Sequence, residues 1–531
     1  MDNDRPGASG DPPGWSRRTF LRNGALAAGL LSASGLVAAC AGTSATGALA
    51  TLDSKPTRGG ILQVGATGGG TTDTLDPQNW ATNVDQLRIQ QLFDPLVWMN
   101  DAGAAELTLA TSITPNADAT EWTIEIPAGV ITHRGQPFTA ADVLYSLRRI
   151  VANLFPGASV LGPADLRNSR VLDSTRLLLR YSKPFGALVE ALTFPFFYMV
   201  PRGFNPNNPD GTGPFKYQSF TPGTQSTFVR NANYWQTGRP YLDSIVTTDV
   251  ADESTQVDGL LSAQFNVINA LSASSVAALS GTAVRVVENK SGTWVPFTQD
   301  CDLRPFSDVR VRQAMRLIVD RPQMLEQVFD GYGSVANDMF SPYDPGYPTD
   351  VPQREQDIPQ AKSLLKAAGY PDLQVSLLTA PVSGGEVSMA EVFATQAKAA
   401  GVQVTLQLYT VGDFYAKYYQ KVPFAMDYGT NQLYLPNAGQ LMIGNTSFFN
   451  ACHFNDPEYN SLYDSAIAAT DSARRNDLIG QMARIDHERG AYIVPVFSPV
   501  IEAYAGNVGG IRKSVTGVSP GNADFKNFWI A

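Results

Sequence analysis

The chain has 531 residues, of which 44% are hydrophobic and 17% are charged, and its formal net charge at pH 7 is −10. This length indicates two or three domains, and the composition is that of an ordinary globular protein. The negative charge argues against binding to nucleic acid or electrostatic attraction to anionic lipid, and three cysteines are too few for a disulfide scaffold.

Residues 1–39 have the pattern of an export signal. Arg17 and Arg18 precede an uncharged stretch from Gly24 to Ala39. That stretch is too short and too weakly apolar for a transmembrane helix, which needs about 20 strongly apolar residues, so we interpret it as part of a signal peptide. The paired arginines before Phe20 resemble a twin-arginine export motif.

A cysteine follows this stretch directly. The sequence Leu-Val-Ala-Ala before Cys40 resembles a bacterial lipobox, in which small residues admit the signal peptidase and the cysteine sulfur carries diacylglycerol. The alternative is a chance cysteine after an ordinary signal. Residues 40–57 then read as a flexible tether. Because each buried methylene of an acyl chain contributes roughly 0.8 kcal/mol, the sequence predicts an extracytoplasmic chain anchored to the membrane by lipid at Cys40.

The folded part, from about Arg58 onward, alternates strand and helix patterns. Residues 61–65 and 122–126 read as strands, and Thr139 with Asp142 predicts a capped helix start. An apolar stripe predicts a helix around Val311, and Asp320 begins another. The later pattern predicts helices at 359–368, 386–400, 457–469 and 473–489, and strands at 402–408 and 492–496.

A search for catalytic patterns finds no nucleophile elbow, Walker loop or dinucleotide fingerprint. Ser363 and Lys366 match a Ser-x-x-Lys motif, but its companion motifs are absent and the segment reads as an amphipathic surface helix. The histidines are far apart and lack metal-ligand spacing; they are His133, His453 and His487. We therefore predict no enzyme activity, no metal and no cofactor.

Several short segments follow one another through the folded part in a characteristic order. They are 59–64 (GGILQV), 74–77 (TLDP), 94–97 (DPLV), 122–130 (WTIEIPAGV), 137–147 (PFTAADVLYSL), 211–215 (GTGPF), 239–243 (RPYLD), 308–314 (DVRVRQA), 454–459 (FNDPEY) and 491–496 (AYIVPV). Taken in order, they resemble the oligopeptide/dipeptide-binding family of ABC-importer solute-binding proteins, also called solute-binding protein family 5, and the resemblance covers residues 58–531.

The resemblance implies an α/β protein with a two-lobed, periplasmic-binding-protein-like fold and an extra small domain on the first lobe. Two crossings between the lobes, near Trp294 and near 496–499, would form a hinge. By the order of the motifs, the first lobe comprises 58–92, 206–293 and 497–531, the extra domain 93–205, and the second lobe 294–496.

The resemblance also implies a function. A short peptide or similar-sized solute would be captured in the interlobe cleft by hinge closure and delivered to the membrane permease of an ABC importer, and we expect a monomer. The alternative for Trp294 and Phe297 is a role as core aromatics at the hinge, and Thr67 could simply end a strand. The candidate ligand-binding residues are Thr67, Gly68, Trp294, Phe297, Asp300, Asn431, Gln432 and Tyr434.

One segment departs from the family pattern. Peptide-binding members carry a Trp and then an Asp that pairs with the terminal ammonium of the peptide, whereas Thr430 and Leu433 stand near those positions here, and no acidic residue occurs between Asp427 and Asp456. A buried ammonium without a carboxylate is costly. An opine-like, glycosidic or modified-peptide solute is therefore an alternative, and Asp300 is a candidate for the missing charge.

Three further hypotheses stay open. Cys301 and Cys452 fall in the implied second lobe and could form a disulfide in an oxidising compartment, the alternative being two separate thiols. The chain could act as a ligand sensor instead of a transport component. A secreted hydrolase is a further alternative, and the missing catalytic motifs argue against it.

Overall fold

The computed structural model describes residues 55–531, except for the side chain of Asn445. The export signal with Arg17 and Arg18, and the lipidation candidate Cys40, lie outside the described residues. None of the helices within the described range is long and apolar enough to cross a bilayer.

The described chain is a mixed α/β structure, and its strands fall into two main sheets and three smaller ones. The strands are β1 (Ile61–Thr67), β2 (Val97–Met99), β3 (Ala105–Leu107), β4 (Ser112–Pro115), β5 (Glu121–Glu125), β6 (Arg170–Val171), β7 (Arg176–Arg180), β8 (Phe215–Thr221), β9 (Gln225–Arg230), β10 (Ser244–Val250), β11 (Val267–Leu271), β12 (Arg285–Trp294), β13 (Phe297–Gln299), β14 (Ser334–Val335), β15 (Gln374–Thr379), β16 (Gln403–Leu408), β17 (Phe424–Met426), β18 (Tyr492–Ile493), β19 (Val496–Tyr504), β20 (Val508–Gly509) and β21 (Trp529–Ile530).

The helices lie mostly between strands, as expected for an α/β protein. They are α1 (Asn83–Leu92), α2 (Ala140–Ala152), α3 (Gly157–Val160), α4 (Leu188–Ala191), α5 (Glu253–Leu261), α6 (Ala273–Leu279), α7 (Val309–Ile318), α8 (Arg321–Phe329), α9 (Ile358–Ala367), α10 (Glu386–Ala397), α11 (Val411–Asp413), α12 (Tyr434–Leu441), α13 (Pro457–Ala468) and α14 (Ser472–Arg489).

The first lobe is built on an eight-stranded sheet of order β12-β19-β11-β1-β10-β9-β8, with β14 added to β19. β1 is parallel to β10 and β11, and β19 is antiparallel to both β11 and β12. The carboxyl ends of β1, β10, β11 and β12 therefore point to the same edge. Gly65 in β1 faces the Phe265 ring so closely that a Cβ there would lie 2.6 Å from it, which explains the glycine in a buried strand.

The second lobe contains a five-stranded sheet of order β16-β15-β17-β13-β18. β15 is parallel to β16 and β17, whereas β13 is antiparallel to β17 and β18. Its core contains the rings of Phe297, Phe393 and Phe424, with centroids 4.7 to 6.1 Å apart. Burial of such large aromatic rings is a main source of stability in a lobe of this size.

The chain passes from the first sheet to the second after β12 and returns before β19, and between these two crossings the short β14 also pairs with β19. It leaves the first sheet after Trp294 and enters the second at Phe297, and it returns between Ile493 and Val496. The prediction of one strand over 492–496 was wrong, because the chain changes sheets there. Pro495 has no N–H to donate to a ladder, and its carbonyl accepts instead from the Ala336 N–H at 2.9 Å.

A small domain is inserted in the first lobe and carries the four-stranded sheet β4-β5-β7-β6. Helix α2 packs beside this sheet, and its first turn has the predicted capping box between Thr139 and Asp142. The hydrophobic core under the helix includes Trp122, Val143 and Leu147. The two-lobed α/β fold with an extra small domain is thus present.

Local signals for other helix ends are confirmed. Helix α9 ends just before Gly369, whose φ of +88° is left-handed. Helix α10 ends at Ala397 and continues as one 3-10 turn, Lys398–Ala400, up to Gly401 with φ +80°. Glycine adopts such angles without the strain that a Cβ causes.

Candidate functional site

The carboxyl edges of the two main sheets face each other across the crossings. In the first sheet, β12 runs toward the crossing, so β1, β10 and β11 end on that side. In the second sheet, β13 starts at the crossing, and β15, β16 and β17 run opposite to it and end there. Ligands of open α/β sheets bind beyond the carboxyl ends of strands. We call the space between these edges the interlobe cleft.

The first-lobe side of the cleft is formed by the loop after β1. Thr67 and Gly68 are half-buried, and the Thr67 N–H donates to the Asn269 side-chain oxygen at 3.1 Å. Gly69 lies against the Asp249 carboxylate, where an added Cβ would lie 2.7 Å from the carboxyl carbon. The loop therefore packs on a buried charge, which holds its backbone close to the cleft edge.

That charge belongs to an ion cluster centred on Arg88. Arg88 Nη1 lies 2.6 Å from Asp73 Oδ2, both side chains are fully buried, and Nη2 pairs with Asp249. Asp73 also accepts the Gly70 N–H at 2.9 Å. Burial raises the pKa of Asp249 to about 6, with the Arg88 charge acting in the opposite direction. The cluster ties the glycine loop to α1 and β10.

The second-lobe side of the cleft is rich in tyrosine. Leu408 is 63% exposed and Tyr428 is 47% exposed, both at the carboxyl edge of the sheet. Beside them, the rings of Tyr409 and Tyr418 lie 4.3 Å apart. Their exposure at this edge makes them candidates for contact with a ligand.

Four of the predicted ligand-binding residues are polar or glycine positions near the cleft: three are half-buried and the fourth is buried between the lobes. Thr67, Gly68 and Gln432 are half-buried. Asn431 is buried, and its Nδ2 donates to the Val515 carbonyl at 2.5 Å. Because Val515 belongs to the C-terminal segment of the first lobe, the side chain of Asn431 links the two lobes and is not open to a solute.

Three predicted aromatic residues are in hydrophobic cores. Trp294 is 1% exposed and stacks on Phe340 with centroids 5.5 Å apart. Phe297 is fully buried in the second-lobe core. The Tyr434 hydroxyl is buried and donates to Asp486 Oδ2 at 2.5 Å. The packing of Trp294 and Phe297 therefore fits the alternative interpretation, in which they are core aromatics at the hinge.

Asp300 is not brought together with the other candidates. It follows the end of β13 that points away from the crossing, and it is 1% exposed. Its carboxylate lies 2.9 Å from His453 Nδ1 and accepts the Asp302 N–H at 2.9 Å. Asp300 is therefore engaged within the second lobe, at the far side from the cleft.

This contact assembles a group that the sequence did not reveal. Ligand atoms of Asp300, Asp302 and His453 all lie within 4.8 Å of one another, a spacing that could hold a metal ion. His453 is 153 positions from Asp300, so ligand spacing in the sequence gives no signal for the group. It lies outside the cleft.

The other two histidines are neutral at physiological pH. Burial lowers the pKa of His133 to about 4, and its Nε2 lies 3.1 Å from the Gly213 carbonyl. Burial and the nearby Arg354 charge likewise lower the pKa of His487 to about 4. The ring of His133 is bound to the backbone of residues 211–213, as is usual for a structural histidine.

The lobes touch directly in this structure. Arg475 of the second lobe lies 2.5 Å from Glu190 of the small domain, with both side chains largely buried. The Ala187 N–H donates to the Ile467 carbonyl at 3.2 Å nearby. These contacts close the side of the cleft that borders the small domain.

The pairing of Cys301 with Cys452 stays a prediction. Both side chains are free thiols, yet the Cys301 N–H donates to the Cys452 carbonyl at 2.8 Å, so the two residues are neighbours. Burial raises the pKa of Cys301 to about 11, which keeps its thiol protonated and slow to react.

Oxidation is expected to join these cysteines. In a chain of residues 41–531 they are the only cysteines, and the hydrogen bond between their backbones makes them neighbours, which a disulfide requires. Thiol titration in urea should find two thiols before treatment with diamide and none after it. Two thiols remaining after treatment, in protein that is still monomeric on a non-reducing gel, would contradict the pairing.

Comparison with known proteins identifies what the fold resembles. The family model described as bacterial extracellular solute-binding proteins, family 5 middle, matches residues 105–451. The oligopeptide-binding protein AppA of Bacillus subtilis is 27% identical over 364 residues, which cover 63% of this chain and 64% of that protein. Heme-binding protein A of Haemophilus influenzae is 24% identical over 447 residues, covering 76% of this chain and 81% of that protein.

Solved structures match over nearly their whole length. The binding protein AgaA from A. tumefaciens R10, in complex with agropinic acid, superposes with a TM-score of 0.77 at 24% identity, covering 89% of this chain and 99% of that one. AppA from Bacillus subtilis, in complex with a nonapeptide, gives a TM-score of 0.74 at 20% identity, covering 90% and 100%. At these identities the likeness concerns the fold, which is two-lobed in both cases.

Proposed function

Because the chain belongs to family 5 of the bacterial extracellular solute-binding proteins, we infer that it captures a solute in the interlobe cleft and delivers it to the permease of an ABC importer. The observation that carries this proposal is the facing pair of carboxyl edges, which are joined by the crossings after Trp294 and before Val496 and by the short β14. A solute that contacts both edges stabilises the closed form in proportion to its differential affinity for that form. The permease then recognises the closed shape.

This function needs no bond chemistry. We propose that the chain is a binding protein and not an enzyme, and that it acts as a monomer. The boundaries proposed from the sequence divide it accordingly: 58–92, 206–293 and 497–531 form the first lobe, 93–205 the small domain, and 294–496 the second lobe. The crossings after Trp294 and before Val496 support these boundaries.

We propose that the chain works outside the cytoplasm, held on the membrane by lipid at Cys40 after export through the signal with Arg17 and Arg18. This part of the proposal rests on the sequence. An anchored receptor stays near the permease, so that each captured solute is released close to the importer.

The proposed solute class follows from the relatives. AppA is described as an oligopeptide-binding protein and AgaA was solved with agropinic acid, so a short peptide or a solute of similar size is our first proposal. Leu433 is 4% exposed and apolar where a peptide-binding relative is expected to carry an aspartate. A non-peptide solute such as an opine is therefore the second candidate.

Native mass spectrometry of residues 41–531, purified without refolding, tests the proposal. We expect a small molecule to be bound and to be released on denaturation. Tyr428→Ala should retain at least fivefold less of it, because Tyr428 is exposed at the cleft edge. Leu154→Ala, which removes a 72% exposed side chain in the small domain, is the control and should retain the wild-type amount. Turnover of the bound molecule by the purified protein would instead point to an enzyme.

A further inference from the structure

Two aspartates and one histidine meet in the second lobe, on the side away from the cleft. Asp300, Asp302 and His453 each offer one ligand atom, and these atoms all lie within 4.8 Å of one another. His453 Nδ1 is 2.9 Å from Asp300 Oδ2. Asp300 follows the end of β13 that points away from the crossing. We call these three residues the Asp–His group.

Main-chain donors bring the group together from two distant segments of the chain. The Asp302 N–H donates to Asp300 Oδ1 at 2.9 Å, so both acids belong to one tight turn. Between them, the Cys301 N–H donates to the Cys452 carbonyl at 2.8 Å, which places the residue before His453 beside this turn. The backbone therefore sets the position from which each of the three side chains starts.

The loop that carries His453 is itself held in place. His453 has a φ of +48°, a left-handed angle that is uncommon for residues other than glycine. Asn450 fixes this conformation, because its side-chain oxygen accepts the Phe454 N–H at 3.0 Å and its Nδ2 donates to the Phe454 carbonyl at 3.0 Å. The imidazole is thus presented to Asp300 by a backbone that its neighbours hold.

The distances within the Asp–His group fit metal coordination. Bonds of about 2.0–2.2 Å from a metal ion to imidazole nitrogen or carboxylate oxygen place neighbouring ligand atoms roughly 2.8–3.6 Å apart. The distance of 2.9 Å between His453 Nδ1 and Asp300 Oδ2 lies in this range. The third ligand atom is within 4.8 Å, and Asp302 is exposed, so a change of rotamer can bring its carboxylate closer.

The group is accessible and is not already neutralised by a basic residue. Within residues 55–531 the ion pair of Asp300 is with His453, and Asp302 forms no pair with lysine or arginine. The Asp300 side chain is 1% exposed and that of His453 is 33% exposed. An ion can therefore enter from the solvent side, past Asp302 and His453, and reach a buried carboxylate, whose charge is little screened by salt.

The ligand types indicate the class of metal. Calcium and magnesium prefer oxygen ligands alone, whereas an imidazole together with carboxylates suits zinc and other divalent transition metals. Two carboxylates also offset the double positive charge of such an ion. The partial exposure of the group leaves room for water in the remaining coordination positions.

We propose that Asp300, Asp302 and His453 bind a divalent transition-metal ion such as zinc through one atom of each side chain. The ion joins the turn after β13 to the loop before α13. It stabilises the second lobe, because the three ligands are gathered in the folded chain and dispersed in the unfolded chain. The site lies away from the cleft and is independent of the proposed function.

Zinc titration of residues 41–531, produced without a histidine tag, tests the proposal. The protein is treated with EDTA, exchanged into metal-free buffer and titrated with zinc in competition with a fluorescent chelator. We expect about one zinc ion to bind per chain and the melting temperature to rise with zinc concentration. A large excess of calcium should not displace the zinc, because calcium does not favour the imidazole ligand.

Variants assign the bound ion to the group. Asp302→Asn and His453→Asn should each weaken zinc binding at least tenfold and remove the rise in melting temperature. Both variants should fold, since Asp302 is exposed and asparagine tolerates the left-handed angle of His453. Asp413→Asn removes an exposed carboxylate of the same lobe, paired with Lys417, and should bind zinc like the wild type. Cys301→Ser is the control for the neighbouring thiol and should also bind normally.

Each contrary outcome overturns this inference and leaves the proposed function standing. A wild type that binds no zinc, or equal affinity in Asp302→Asn and His453→Asn, would show that the group holds no ion. A tenfold loss in Cys301→Ser would place the ion on the thiol, and displacement by calcium would exclude His453 as a ligand. If His453→Asn melts below the wild type while zinc stabilises neither chain, the contact with Asp300 only holds the loop.

Discussion

Replacing Arg88 by Met is expected to lower the free energy of unfolding by about 3–5 kcal/mol. The guanidinium is fully buried and pairs with Asp73 and Asp249, while its Nε donates to Ser226 Oγ at 3.2 Å. Removing it leaves two buried carboxylates without a positive charge. Methionine keeps most of the side-chain volume, so the loss reports on charge and hydrogen bonding and not on a cavity.

Urea unfolding at pH 7, followed by circular dichroism, measures this effect. Arg474→Met is the matched control, because Arg474 is 60% exposed and pairs with Asp477 on the helix surface; exposed pairs contribute roughly 0–1 kcal/mol. Solute retention should fall as well, since Arg88 holds the loop of Thr67 and Gly68 in place. An Arg88→Met chain as stable as the control would show that the buried acids protonate at little cost.

Local features of the fold could be predicted because they depend on neighbouring residues. Thr139 and Asp142 are three positions apart and form the capping box of α2. Gly369 and Gly401 both take left-handed angles where the helical patterns end. Such capping signals depend on residues within one turn of each other, so the local sequence is enough to predict them. The family was predicted separately, from the order of the sequence segments along the chain.

Features that depend on crossing between sheets could not be predicted this way. Residues 492–496 have the apolar pattern of one strand, but Pro495 stands where the chain leaves one sheet for the other. An apolar side chain such as Trp294 or Phe297 suits a ligand contact and a core position equally well, so the sequence does not distinguish the two roles. Only the packing of Trp294 on Phe340, 46 residues later in the chain, distinguishes the two roles.

The candidate site illustrates the same limit. From the sequence, Asp300 is a candidate for binding the solute, but the fold places His453 against it. Asp300 and His453 are 153 positions apart, so no local pattern in the sequence shows their contact.

The stability of the solute-free chain is expected to fall as the pH rises from 5 to 8, in part because of Glu386. Its ordinary pKa is 4.5, and burial raises it to about 8 in the folded chain. Between these values the folded state keeps a proton that the unfolded state has lost, so rising pH favours unfolding. At roughly 1.4 kcal/mol per pH unit, the contribution over this range is on the order of 3 kcal/mol.

Glu386→Gln should remove this contribution, so its stability relative to the wild type should increase from pH 5 to pH 8. The quantity to compare is the difference in the free energy of unfolding between the variant and the wild type. Asp85 and Asp486, whose pKa values are raised to about 7 and about 8, affect both chains in the same direction and cancel in this difference. The groups that act on Glu386 are Asp427, which raises its pKa, and the backbone N–H groups of 380, 382 and 383, which lower it. Urea midpoints at pH 5, 6, 7 and 8 measure the effect. A constant difference between the two chains would contradict this prediction, because it would mean that Glu386 is ionised in the folded chain over the whole range.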